Sequence, residues 1–466
     1  MLTKIFKKTA IVTPMLAVSL GLAAQSNAAE IEFFGTAKVK PTYYTNFDFD
    51  NNKDDGVTLN EGGLVSGNGA HTRTEARLGW KAKGDDWSVK MIAEVDQTMT
   101  KDNADRSFYT NALNGEGMPN AGGEFGIERA EFLYSFSSNV QLQAGWDIRY
   151  LDLKSGGLLY GDDHPFLGLR GKSDNTSYEL LYIPINNSVK TGSGEQGDWR
   201  VYTAKVSHDV ADWTLSPILA YSDNVARDAG VTYFGLEGFG KIGGANLSFE
   251  LIGAEGDVGT RDLSSSAAYA GLELPVNKSF QPYVAVRYTQ GDGDATDNKV
   301  EGFNAITDIG RFSGLMAMDG NVLGEHLSAG YGATLYAYAP ERTGGKGVQG
   351  YGGIGNGASG INPGSQILAF GTKGALSSLS PNLSYKAQLF MIWFDETNNL
   401  INLKNAGQKV DDYAGTTVDV QLKYAFHKNF SMDYIFSTFV PGDGIQDQTN
   451  SNDNIFVNTL SMNWTF

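Results

Sequence analysis

The chain has 466 residues, 36 Lys and Arg against 53 Asp and Glu, and a formal net charge of −17. That acidity excludes the nucleic-acid-binding classes, because phosphate contact needs a basic face; it concentrates cations and repels anions. Cysteine is absent, which excludes a disulfide framework, and the 58 glycines follow no Gly-x-x period, which excludes collagen.

Residues 1–28 read as a secretory signal peptide. Lys4, Lys7 and Lys8 precede an apolar run from Ala10 to Ala24, and Ser26-Asn27-Ala28 places small residues at −3 and −1, so cleavage is expected after Ala28. The run is too short for a membrane-spanning helix, and no later stretch approaches 18 consecutive apolar residues. An apolar content of 41% suits a large barrel as well as a soluble protein, since only alternate strand residues of a barrel face lipid.

From residue 31 onward the pattern has a period of two. A first strand runs from Ile31 to about Phe49 and leads into an acidic loop, 50–56. In the strand 72–83, Ala76, Leu78, Trp80 and Ala82 alternate with Arg73, Glu75, Arg77, Lys81 and Lys83. Gly84-Asp85-Asp86 turns the chain. The return strand sets Trp87, Val89, Met91, Ala93 and Val95 against Lys90, Glu94 and Asp96. Strands 127–136 and 140–150 repeat the layout around Ser137-Ser138-Asn139. Further short turns fall near 173–175, 209–212, 242–244, 276–279, 378–382 and 427–429, with long polar connections between them. Short turns alternating with long loops is the asymmetry of an outer-membrane barrel.

Strand starts near 31, 72, 87, 127, 140, 166, 176, 198, 213, 230, 245, 267, 280, 365, 383, 416, 430 and 454 predict an all-β fold. It is a transmembrane antiparallel up-and-down β-barrel of about 18 strands, occupying 29–466 as a single domain. A long extracellular or lumen-folded excursion over 293–364 includes the strand-like stretch 327–338; counting that region differently gives 16 or 20 strands. The last strand carries Leu460, Met462, Trp464 and Phe466 on one face and Thr459, Ser461, Asn463 and Thr465 on the other. It is expected to close the barrel against the first strand near 31–44 and to serve as the assembly signal.

A charge facing lipid at mid-depth costs roughly 2–4 kcal/mol, so charged strand positions are assigned to the lumen. The pore-lining or constriction candidates are Arg73, Glu75, Arg77, Glu94, Asp96, Arg129, Glu131, Asp147, Arg149 and Arg287. Opposed basic and acidic groups across a lumen order permeating ions; the competing reading is inter-strand ion pairs that only stiffen the wall. The Gly-rich run 350–357 lacks the Lys-Ser/Thr end of a nucleotide loop. The acidic runs 48–55 and 292–297 lack a complete EF-hand pattern. The five histidines are scattered, and no Gly-x-Ser-x-Gly occurs. No cofactor, metal or catalytic set is expected.

The signal peptide, the hairpin series, the strand SMDYIFSTFVPGDGI and the terminal LSMNWTF resemble Gram-negative outer-membrane porins. Phe439-Val440-Pro441-Gly442-Asp443 is similar to the aromatic–Pro–Gly–Asp turn of the alginate-export type. The resemblance implies an 18-stranded barrel with a charged lumen. It implies outer-membrane lipid and lipopolysaccharide as surroundings, the barrel-assembly machinery as the inserting partner, and small hydrophilic solutes as cargo. A homotrimer is a further expectation, and nucleic acid is not a partner. The function expected is a porin for passive diffusion of ions and small solutes. The alternative is a substrate-specific channel or exporter for a polysaccharide or organic acid.

Overall fold

The computed structural model describes residues 30–46, 57–58, 64–65, 69–100, 103–107, 124–151, 158–186, 197–306, 363–450 and 452–466. The signal segment 1–28, the run 48–55, the stretch 327–338 and the Gly-rich run 350–357 lie outside them.

Eighteen strands form one closed antiparallel sheet. They are β1 (Glu30–Thr45), β2 (Gly69–Lys83), β3 (Trp87–Thr100), β4 (Glu124–Ser137), β5 (Val140–Tyr150) and β6 (Gly161–Ser173). Next come β7 (Thr176–Asn186), β8 (Trp199–Val210), β9 (Trp213–Asn224), β10 (Ala229–Ile242), β11 (Ala245–Val258) and β12 (Arg261–Glu273). The circle ends with β13 (Gln281–Thr289), β14 (Ser365–Ala375), β15 (Leu383–Trp393), β16 (Tyr413–His427), β17 (Phe430–Pro441) and β18 (Ile455–Thr465). Every start expected from periodicity falls within six residues of the observed one. Each strand pairs with its sequence neighbour, and β18 pairs with β1 from Thr36↔Thr465 to Thr45↔Phe456.

At the end holding both termini, the connections never exceed seven residues. At the other end they include 290–364, 394–412 and 442–454, and only 225–228 and 259–260 are short. The stretch Phe439–Asp443 finishes β17 and starts a short helix, α1 (Asp443–Thr449), where the sequence suggested only a turn.

Alternation sorts the two faces. On β9, Leu219 and Tyr221 are exposed on the outside, while Ser216, Ile218, Ala220 and Ser222 are buried on the inside. On β18, Trp464 is exposed outward with Leu460 and Met462 on the same face, and Thr459 and Ser461 are buried inward. Near the end holding both termini, Phe426 stacks on Phe430 at 5.3 Å between centroids, and Phe430 on Trp464 at 4.8 Å. Such an outward aromatic band suits a membrane interface.

The last residue seals the seam. Gly35 N–H donates to Phe466 O at 2.8 Å, and Phe466 N–H donates to Gly35 O at 3.0 Å. A Cβ at Gly35 would lie 2.3 Å from the Phe466 ring, so this glycine lets the ring lie across β1. Deleting Phe466 removes both bonds and the outermost apolar side chain. Heat-modifiability on gels should then show a clear fall in the folded fraction relative to the intact chain.

Candidate functional site

The inner wall carries a girdle of charge. Lys38 on β1 faces Glu75 on β2, with Nζ 3.1 Å from Oε1. Arg77 faces Glu94 of β3; its Nε donates to Glu94 Oε2 at 2.6 Å and its Nη2 to Glu128 Oε1 at 3.0 Å. Arg77 Nε also stands 3.7 Å from Glu75 Oε1. Arg129 follows, 3.5 Å from Glu128 and 3.6 Å from Asp147 of β5. Lys90 of β3 donates to Asp147 Oδ2 and lies 3.9 Å from Glu131. Arg149 donates to Glu131 Oε1 at 2.7 Å, stands 3.7 Å from Glu179 of β7, and lies 3.9 Å over the Phe166 ring.

Ion pairs thus run unbroken from β1 to β7, acid next to base throughout. Alternating sign is what makes the arrangement stable: a desolvated charge is costly unless a partner and hydrogen bonds meet it.

The girdle continues by register. Glu179 is opposite Lys205 of β8, and Lys205 Nζ is 3.2 Å from Glu237 Oε1 on β10. Glu237 is opposite Glu250 of β11, Glu250 opposite Tyr269 of β12, and Tyr269 opposite Arg287 of β13. Glu237, Glu250 and Arg287 are all buried.

The structure therefore brings Glu75, Arg77, Glu94, Arg129, Glu131, Asp147 and Arg149 into one network. Arg287 is inward and buried, as periodicity expects, but sits on β13, away from the β1–β7 run. Arg73 and Asp96 hold inner-face register positions, opposite Lys40 and Glu75, and their side chains lie outside the described residues.

Sequence reasoning missed Glu128. A bulge between Ile92 and Ala93 of β3 leaves Glu128 without a counterpart, so two consecutive residues, Glu128 and Arg129, reach the same ion-pair network. Strict alternation sends one of them to lipid. It also left out Lys38, Glu179, Lys205, Glu237 and Glu250, each a charge in its strand and so visible as a candidate.

The lumen is not evenly open. On the β6–β12 side, nearer the long-loop end than Glu179, Lys205, Glu237 and Glu250, the inner face is apolar, with Leu181, Val201, Ile218, Val231, Ile252 and Leu263 all buried. Chain from two connections covers it: Leu158, Leu159 and Tyr160 after β5, and Val300, Phe303 and Ile306 after β13. The two pieces are joined, Ile306 N–H donating to Leu159 O at 2.9 Å. Tyr233 O–H donates to Asn304 O at 2.9 Å and its ring meets Phe303 edge-on. Lys205 also donates to Leu151 O, which ties the covering segment to the girdle. The described start of the 293–364 excursion accordingly folds inward.

Within the run 292–297 three carboxylates accept from nearby main-chain N–H groups, while Asp292 Oδ2 is buried with no hydrogen-bond partner among the described residues. Asp292 Oδ1 accepts from Asp294 N at 3.1 Å, Asp294 Oδ1 accepts from Thr296 N at 3.0 Å, and Asp297 Oδ1 from Lys299 N at 2.7 Å. Among the described residues no group of three or more His, Cys, Asp or Glu is placed to hold a metal ion.

Solved structures share this architecture. Pseudomonas aeruginosa OpdK, solved with vanillate, matches with a TM-score of 0.53 and 10% identity over 93% of this chain and 98% of its own. OccK5 (OpdH) of the same organism gives 0.51 and 12% over 93% and 98%, and OccK2 (OpdF) 0.51 and 12% over 94% and 98%. The chain has the fold of an outer-membrane porin. No protein-family model matches it, and no curated protein matches its sequence.

Arg77 is the pivot of this porin-fold girdle, since it serves Glu75, Glu94 and Glu128 together. Arg77→Met leaves the buried Glu75 and the half-buried Glu94 and Glu128 close together without their shared base, and the expected loss is about 2 kcal/mol. Denaturant unfolding of the detergent-solubilised barrel should show a lower midpoint. Lys81→Met, at an exposed position of the same strand, should leave it unchanged.

Proposed function

We propose that the protein is an outer-membrane channel through which ions and small hydrophilic solutes diffuse. One observation carries this: a closed 18-strand sheet exposes large apolar side chains on its outer face and carries a band of ion-paired charge on its inner face from β1 to β7. No backbone edge is left for lipid, so the wall can stand in hydrocarbon, and the inner face suits water and ions. The chain reaches the outer membrane after loss of residues 1–28, is inserted by the barrel-assembly machinery and sits among lipid and lipopolysaccharide. A homotrimer would use the outward apolar face.

The girdle is the proposed constriction. On the β1–β7 side its charges line the wall directly, and on the β6–β12 side the covering segments take up lumen volume. A solute is thereby directed along the charged wall, whose paired acids and bases offer hydrogen-bonding groups of both signs.

A second reading, a substrate-specific channel, is favoured by that covering. Packed segments on the inner wall shape a path more closely than water alone does, and OpdK was solved with a small organic acid, vanillate. Conductance separates the two readings: a diffusion pore gives a large, weakly selective conductance, and a specific channel a small one blocked by one class of solute.

Phe303→Ala combined with Ile306→Ala weakens the apolar seal of the covering segment. In planar bilayers the double variant should show a conductance raised by roughly half or more over the parent. An unchanged conductance, with the fold intact by heat-modifiability, would place the constriction elsewhere.

A further inference from the structure

The long-loop end carries its charge unevenly. Two connections, 394–412 and 442–454, and the described start of a third, 290–306, together hold eleven Asp and Glu against three Lys and no Arg. They form one rim. Gly291 N–H donates to Asp395 Oδ2 at 2.9 Å, and Asn399 Nδ2 donates to Asp292 O at 2.7 Å. Leu403 N–H donates to Asp447 O at 2.7 Å, and Asp411 N–H to Asp447 Oδ2 at 3.1 Å. These bonds hold like charges close together over β13–β18.

A second, independent feature lies inside the barrel on the same side. Asp419 of β16 and Ser437 of β17 face each other across the sheet, both fully buried on the inner wall. Asp419 Oδ2 accepts from Gln388 Nε2 at 3.2 Å and from Thr417 Oγ1 at 3.4 Å. Ser437 Oγ has no hydrogen-bond partner among the described residues. Nor has Oδ1 of Asp433, which is 6% exposed and whose Oδ2 accepts from Asn463 at 2.8 Å. Buried acceptors without protein donors suit a positively charged species or the water it carries. The bases on this wall among the described residues are Lys373 and Lys386, opposite each other, and Lys423, opposite Asp433; Lys386 is within electrostatic reach of Asp419, and Lys423 of Asp433. None is level with Ser437.

We propose that the acidic rim, with the oxygen-lined stripe of Asp419, Ser437 and Asp433 below it, makes this channel prefer cations, so that cationic and zwitterionic solutes enter ahead of organic anions. The inference rests on the channel reading above and adds the class of solute. The rim raises the local concentration of cations by its field, and the stripe offers them oxygen contacts along one wall. The charge of the β1–β7 girdle is internally matched and adds little net bias.

The test is the zero-current potential of the full-length mature protein in planar bilayers under a KCl gradient. Two variants accompany it: E396Q/D412N/D443N in the rim and D419N in the stripe. The expected sign is that of cation preference. Exposed rim charge is screened over about 10 Å at 0.1 M salt but only about 3 Å at 1 M. The rim variant should therefore lose roughly half the preference at low salt and little at high salt, whereas D419N should lose preference at both. An anion-preferring parent, or variants that keep the parent's potential at both salts, would overturn the inference while leaving the channel reading in place. A folded, inserted barrel with no conductance would overturn the channel reading itself, and this inference with it. Should D419N fail to assemble, the salt-dependent response of the rim variant decides alone.

Discussion

A strand in hydrocarbon has no water to satisfy its N–H and C=O groups, and everything else in this molecule follows from meeting that requirement. An open sheet would leave two unpaired edges, each unsatisfied group costing several kcal/mol in lipid. The chain removes them by pairing its last strand with its first, down to the mutual bonds of Gly35 and Phe466. Closure converts alternation along a strand into inside and outside. From that point a residue's parity decides whether it meets lipid or the lumen, and charges have one inexpensive place to go.

The inside is solved differently on its two sides. On β1–β7 many inward residues are ionised, and they are met by groups of opposite sign on an adjacent strand or the one beyond. On β6–β12, beyond the girdle charges, a patch of inward Ile, Val, Leu and Ala faces the lumen toward the long-loop end. Those residues need an apolar partner, and the chain between strands supplies one, with Phe303, Ile306 and Leu159 laid against the wall. Burial of that cluster follows the same rule as any core: apolar area removed from water is worth about 25 cal/mol per Å². A barrel with one wet wall and one dry wall offers an off-centre path.

The acidic rim fits the same logic at longer range. Like charges in three separate connections are tied together through backbone donors and carbonyls rather than through counter-charges. Hydrogen bonds to main-chain groups fix loop geometry without neutralising the field. The mouth can therefore be rigid and strongly charged together, which pairing each acid with a base would not allow.

The sequence by itself determined a count of about 18 strands, their order, their starts to within a few residues, and the face on which most charges lie; which of 16, 18 or 20 it is came from the pairing. The sequence could do so because period-two alternation is a local property, imposed by lipid on one side and water on the other. Phe466 as the closing residue and Arg77, Glu131, Asp147 and Arg149 as inward charges were legible for that reason. The tertiary structure alone decided the rest. The bulge that brings Glu128 to Arg77 depends on how β4 is paired against β3, and alternation carries no record of register. The helix Asp443–Thr449 is too short to declare itself by periodicity. The covering of the β6–β12 wall joins residues near 160 to residues near 303, a contact between two distant connections. Nothing local marks Phe303 as a lumen residue, because its partners are assembled only once the barrel has closed around them.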